Sequence, residues 1–294
     1  MDYLSLAGEN LLFGFVITAV GFILGYLLYS RIVLRGINLK DALFEKDNFS
    51  AWIEFVGAFV FPVLFLSSKA AEGAADSNIW LDLANCAIYA AAYVVVFTLL
   101  RYLSGVIIGS LGRSDEHGRI NTNNEVYVQH NTAASLFSVS LSIIFVSAIR
   151  FLNLAEGYVE ASVYRILMVL VFTLAALIVY CLLLRRKTTL FKEIFLDNNP
   201  AAGLNLAGFV FAVEILLTNA AALQVDFDLP ALAALSAVWL VLLAVLSILF
   251  KYILTRLIRI DIWNEVYEQN NIGAALGQCA LYTGIALVLV NFVK

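Results

Sequence analysis

Asn124-Glu125-Val126-Tyr127-Val128-Gln129-His130-Asn131-Thr132-Ala133-Ala134-Ser135 is restated further along the chain as Asn264-Glu265-Val266-Tyr267-Glu268-Gln269-Asn270-Asn271-Ile272-Gly273-Ala274-Ala275. Each copy is a polar segment that ends in Asn and opens a long apolar run. Two shorter echoes, Lys46-Asp47-Asn48-Phe49-Ser50-Ala51 and Asp197-Asn198-Asn199-Pro200-Ala201-Ala202-Gly203, also stand just before apolar runs. The Asn residues at 48, 131, 199 and 271 therefore mark one repeating unit.

The chain is 62% hydrophobic and 14% charged, whereas roughly a quarter of the residues of a soluble protein are charged. This composition belongs to an integral membrane protein. Eight apolar runs approach the roughly 20 residues that a helical span requires, at about 11–30, 50–68, 79–103, 132–152, 163–184, 200–222, 231–255 and 272–292. The expected fold class is all-α, a polytopic bundle of eight transmembrane helices. The longest polar connection, roughly 104–131, is too short for a core of its own.

The N-terminal stretch to Asn10 carries Asp2 and Glu9 and no Lys or Arg, so the first span is expected to remain in the mature protein. A net charge of −4 without a basic block argues against nucleic acid as a partner. Cys86, Cys181 and Cys279 are odd in number and too widely spaced for a metal motif, and read as small apolar residues.

Lys and Arg sort by loop. The side that precedes the even-numbered spans holds Arg31, Arg35, Lys40, Lys46, Arg101, Arg113, Arg119, Arg185, Arg186, Lys187, Lys192, Lys251, Arg256 and Arg259, and the other side holds only Lys69, Arg150, Arg165 and Lys294. Positive residues in short loops mark the cytoplasmic side. Both termini are therefore expected outside and all four Asn motifs at the cytoplasmic surface.

Local signals refine this. Gly21 and Gly25 on the first span have the spacing that admits a close helix neighbour. Pro62 in the second span frees a backbone carbonyl and predicts a kink. Thr122 and Glu125 have capping-box spacing, which predicts a short helix over about 122–129. The stretch from Gly112 to Ile120 has no counterpart before the eighth span and reads as a surface insertion.

The offset from Asn131 to Asn271 is 140 and that from Asn48 to Asn199 is 151, the difference being largely this insertion. Residues 1–152 and 153–294 thus read as two copies of a four-span unit, each made of two hairpins that enter and leave the membrane in the same sense. Such repeats are parallel and resemble a fused oligomer.

The His-Asn-Thr-Ala-Ala-Ser run at 130–135 and the Asn-Asn-Pro-Ala-Ala-Gly run at 198–203, with the hairpins around them, resemble the YjfL-type bacterial inner-membrane proteins, a domain-of-unknown-function family. The resemblance spans nearly the whole chain as a tandem duplication, and the first motif departs from the pattern at Phe49. It implies a multi-pass protein of the bacterial inner membrane. No activity comes with it, and only an association with membrane stress and polyamines is implied.

An Asn before a helix is suited to N-capping. The motif residues Asn48, His130, Asn131, Asn198, Asn199, Asn270 and Asn271 are accordingly read as cytoplasmic helix caps, followed by small residues where helices meet. The alternative reading points four positive helix ends at an anionic or carbonyl-bearing ligand. Glu54 and Glu214 are the sharper signal, because an ionisable group in hydrocarbon costs several kcal/mol and usually faces a cavity or a partner.

At 1.5 Å per residue Glu54 lies roughly 9 Å beyond Asn48 and Glu214 roughly 22 Å beyond Asn199, so they are not repeat mates. Asn205 is the repeat mate of Glu54. Together with Asn85, Asn205 and Gln278 the two carboxylates would suit a path for protons or a small cation, including an organic amine or polyamine. Pairing of Glu54 with a cytoplasmic Lys or Arg, and of Glu214 with Arg150 or Arg165, are the structural alternatives.

A second reading is a scaffold that recruits a cytoplasmic stress-response protein through exposed loop residues Glu125, Tyr127, Glu265 and Tyr267. A third is a lipid-interacting protein, from the basic stretches after spans three and seven. A homo-oligomer stays open. No catalytic, metal-binding or cofactor-binding constellation stands out: His117 and His130 lack a second ligand at metal spacing, and no nucleophile has a base beside it.

Overall fold

The computed structural model describes residues 3–72, 78–111, 113–114, 118–152, 159–184, 188–223 and 228–292. Of the inserted stretch, positions 112 and 115–117, which include His117, lie outside the described residues, as do Arg185, Arg186, Lys187 and Lys294. Among the described residues eight helices are long and apolar enough to cross a bilayer. In chain order spans one to eight are Gly8–Val33, Phe49–Glu72, Ile79–Ser110, Thr132–Ile149, Val159–Leu184, Pro200–Leu223, Leu229–Leu257 and Ile272–Phe292. Short helices Thr122–Tyr127 and Ile262–Tyr267 precede spans four and eight, and Arg113–Ser114 pairs antiparallel with Gly118–Arg119 within the insertion.

Packing divides the chain into two compact units, 1–130 and 131–294. The repeat of 1–152 and 153–294 is a division of another kind, drawn by matching motifs. In the first unit, spans one and two meet through the paired glycines: a Cβ on Gly21 would stand 2.9 Å from Leu64 Cδ2, and one on Gly25 2.9 Å from Phe59 Cε1. Phe55 and Phe59 then stack with ring centroids 6.0 Å apart, and Tyr29 meets both edge-on. Burial of such rings, with roughly 0.5–1.5 kcal/mol per aromatic pair beyond area, holds this unit.

Pro62 has a local answer. Residues Ile53–Val60 just before it form a π-helix within an otherwise helical span. Widening the turn accommodates a ring that would clash with the carbonyl four residues back.

In the second unit, span six is the most enclosed, packing on spans four, five, seven and eight. Its glycines set the approach. A Cβ on Gly203 would lie 3.0 Å from the Ala133 backbone, and one on Gly208 2.5 Å from Cys279 Sγ. Val213, Leu216, Leu217, Trp239 and Ala286 fill the core around them. On span four, Ser135 and Ser138 donate to the carbonyls of Asn131 and Ala134 one turn back.

Candidate functional site

The four Asn motifs fold alike. Asp47, His130, Asn198 and Asn270 each adopt a left-handed φ, 47°, 59°, 45° and 52°, a region in which Asn, Asp and His are enriched among non-glycine residues. That turn redirects the chain so that the next residue caps the following span. The Oδ1 atoms of Asn48, Asn131, Asn199 and Asn271 accept from the amides of Ala51, Ala134, Ala202 and Ala274 at 3.1, 2.9, 3.0 and 3.1 Å. The departure at Phe49 leaves the first cap unaltered.

The other end of each amide ties hairpins together. Asn48, Asn131 and Asn199 donate through Nδ2 to the carbonyls of Val126, Ile194 and Val266, at 2.9, 2.9 and 3.0 Å. Each acceptor lies five residues before the next motif Asn. Asn199 also donates to Glu193 Oε2, and Asn271, which is exposed, donates to Glu265 Oε2 at 2.8 Å. Asn199→Ala removes a cap and leaves a buried carbonyl without its donor. A loss of roughly 2–4 kcal/mol is expected, read as a lowered unfolding midpoint in detergent. Asn271→Ala, in solvent, is expected to cost much less, and equal losses would contradict this account.

Above the caps, the repeat places two matching clusters. In the first unit Tyr127 donates to the Tyr29 hydroxyl (3.1 Å) and Tyr29 to Glu54 Oε1 (3.2 Å). The same carboxylate oxygen is paired with Arg101 Nε. Arg101 extends the network through Nη1 to Thr122 Oγ1 (3.4 Å) and Nη2 to Asn123 Oδ1 (3.2 Å), and Asn123 Nδ2 donates to the Val33 carbonyl (2.6 Å).

In the second unit, Tyr180 and Tyr267 are 2.6 Å apart at their hydroxyls, and Asn205 Nδ2 donates to both, at 2.9 and 2.8 Å. The offsets of 151 and 140 carry Tyr29, Glu54 and Tyr127 onto Tyr180, Asn205 and Tyr267. Where the first copy has Glu54, Arg101 and Asn123, the second has Asn205, Lys251 and Trp263. The Lys251 ammonium sits 3.8 Å over the Trp263 ring. A carboxylate replaced by an amide needs no guanidinium, and the cation is turned onto an aromatic face instead. Burial pushes the Tyr267 hydroxyl up to about 12 and the Tyr127 hydroxyl well above its ordinary value, so both phenols stay protonated at neutral pH.

Glu214 is different. It is 2% exposed, Oε1 accepts from the Thr173 hydroxyl at 2.6 Å, and the Ser147 hydroxyl faces it as well. Spans four, five and six thus converge on one carboxylate. Among the described residues it has no ion pair, and Oε2 has no hydrogen-bond partner. The expected alternative for Glu54, a cytoplasmic-side cation, takes the form of Arg101; for Glu214, hydroxyls stand where Arg150 or Arg165 was expected.

The polar path residues are dispersed. Asn85 lines a cavity of about 280 Å³ with Asn10, Ser68, Glu72 and Asp82. Arg101, at the Glu54 cluster, lies 16 residues further on, roughly 24 Å along the helix. Asn205 belongs to the tyrosine cluster, nine residues and roughly 14 Å before Glu214 on span six. Gln278 is buried on span eight.

Two expectations are corrected. Glu125, Tyr127 and Tyr267 are buried, at 8, 1 and 7% exposure, rather than exposed loop residues, because the short helices before spans four and eight turn these side chains inward; Glu265 is half-buried and holds Asn271. The cap of Thr122–Tyr127 is Asn121, which accepts from the amides of Asn123 and Asn124, and Thr122 instead meets Arg101. Sequence reasoning missed Tyr29, Tyr180, Arg101, Ser147 and Thr173. The two tyrosines had a signal, since they stand at the same offset as Glu54 and Asn205.

Residues 153–293 match the model of a Domain of Unknown Function, DUF350, in accord with the resemblance to YjfL-type proteins. No curated protein and no solved structure matches the chain. Eight apolar helices and this match together identify a multi-pass integral membrane protein in which residues 153–293 match the DUF350 family model.

Proposed function

We propose that the protein is a pathway for protons or small cations, organic amines included, and that Glu214 is the carboxylate that takes the ion inside the membrane. The observation that carries this is a carboxylate buried among three spans with two hydroxyls and, among the described residues, no ion pair. An ionisable group at that depth is costly and is retained where it meets an ion or a proton. The reading is a conduit without a chemical step, so it is not an enzyme. Glu54, already paired with Arg101, is assigned to holding the first unit together. The scaffold reading loses support with the burial of Tyr127 and Tyr267. The test is flux of protons, potassium and a polyamine into proteoliposomes under an imposed potential, native protein against Glu214→Gln.

The distribution of Lys and Arg supports a place in the bacterial cytoplasmic membrane with both termini outside. In a cysteine-free background, Lys40→Cys is expected to react with an impermeant maleimide only after cells are opened, and Asn78→Cys to react from outside. Both positions are exposed. The reverse pattern inverts the topology.

A further inference from the structure

Gly105 and Gly109 stand one turn apart on span three, and both line one cavity. A Cβ on Gly105 would lie 3.2 Å from both Arg101 Nη1 and Thr122 Oγ1. The short helix Thr122–Tyr127 can therefore close on Arg101, while a cavity of about 470 Å³ opens beside it. Ile32, Arg35, Tyr102, Val106, Asn121 and Asn123 are among its lining residues, and no carboxylate among the described residues lines it.

The charge in this cavity is positive. Arg101 is neutralised by Glu54, but its Nη atoms face Thr122 and Asn123 on the cavity wall. The Arg35 guanidinium lies 5.5 Å over the Tyr102 ring and has no acidic partner among the described residues. Its planar fork suits a phosphate, which it can hold with two parallel hydrogen bonds. Asn121 and Asn123 offer further polar groups around it.

Position fixes the class of ligand further. The cavity lies where span one ends at Val33 and span three at Ser110, the level at which helices leave the apolar layer. Val106 on its wall and the neighbouring Ile107 are 45 and 54% exposed, so apolar surface adjoins the cavity. At the positions of Gly105 and Gly109, the second copy carries Thr255 and Arg259, so the glycine pair is an elaboration of the first copy alone.

We propose that this cavity binds a phosphate group through Arg35, either the headgroup of an anionic phospholipid or a soluble phosphate ester. The ligand is an anion, and the site is separate from the cation pathway assigned to Glu214.

The experiment is native mass spectrometry of the full chain in detergent with phosphatidylglycerol or phosphatidylcholine, alongside unfolding midpoints measured with and without inorganic phosphate. Retention of phosphatidylglycerol over phosphatidylcholine, weakened about tenfold by Arg35→Gln and largely restored by Arg35→Lys, is expected for a headgroup site. An upward shift of the midpoint by inorganic phosphate that Arg35→Gln abolishes, without lipid preference, assigns the site to soluble phosphate esters. Because Arg35 is exposed, Arg35→Gln should unfold like the native protein. Equal retention of both lipids with no phosphate shift, or binding that Arg35→Gln leaves intact, overturns the proposal.

Discussion

Arg101→Ala is expected to destabilise the first unit by about 3–5 kcal/mol, because it leaves the Glu54 carboxylate buried without its cation. The pair is enclosed, with Arg101 9% and Glu54 0% exposed at their side chains. Removing the guanidinium also abandons Thr122 and Asn123. Glu54→Gln alone strands the cation instead and is expected to cost a similar amount. Glu54→Gln combined with Arg101→Met removes both charges, and replacement of a buried pair by apolar or neutral groups of similar volume is often neutral or stabilising. The second copy supplies the precedent: Asn205 takes the carboxylate's place between two tyrosines, and Lys251, which stands where the first copy has Arg101, is turned onto Trp263. Unfolding midpoints in detergent for the two single variants and the double variant form a mutant cycle. A double variant as unstable as the sum of the singles would show that the charges contribute independently, contrary to the geometry.

The comparison of the copies also shows what could be read from the residues. The eight spans and the four caps were legible because hydropathy and an Asn before an apolar run are local signals, each tied to a local physical cause. The partner of each cap was not. Asn131 donates to the Ile194 carbonyl 63 residues away, and nothing in either segment names the other. Arg101 read as one more positive residue at the end of a span, and Tyr29 drew no reading of its own, because both types are common there. What they do depends on the side chain that spans two and three bring opposite them. Thr122 had the spacing of a cap but lost that role to Asn121. Spacing alone does not reveal that a guanidinium approaches the Thr hydroxyl. Glu214 was found by its charge, whereas Thr173 and Ser147, hydroxyls on two other spans, carry no signal at that distance.

Glu214→Gln is expected to abolish ion flux while leaving the fold as stable as before or more so. Glutamine is nearly isosteric, and its carbonyl oxygen still accepts from Thr173, so the contact at 2.6 Å survives. The exchange removes only the charge and the ability to take up a proton. Burial of an unpaired carboxylate costs several kcal/mol, and an ion held there recovers a comparable amount. Losing that interaction corresponds to a fall in flux of about two orders of magnitude. Thr173→Val, which keeps the charge and deletes one hydroxyl, is expected to lower flux only in part. The measurement pairs flux in proteoliposomes with the unfolding midpoint of the same preparation. Equal flux from native and Glu214→Gln protein, or none from folded native protein, removes Glu214 from any pathway. Lost flux with undiminished stability would have one reading: the carboxylate is kept at that depth against its own solvation cost, and the fold gains nothing from it.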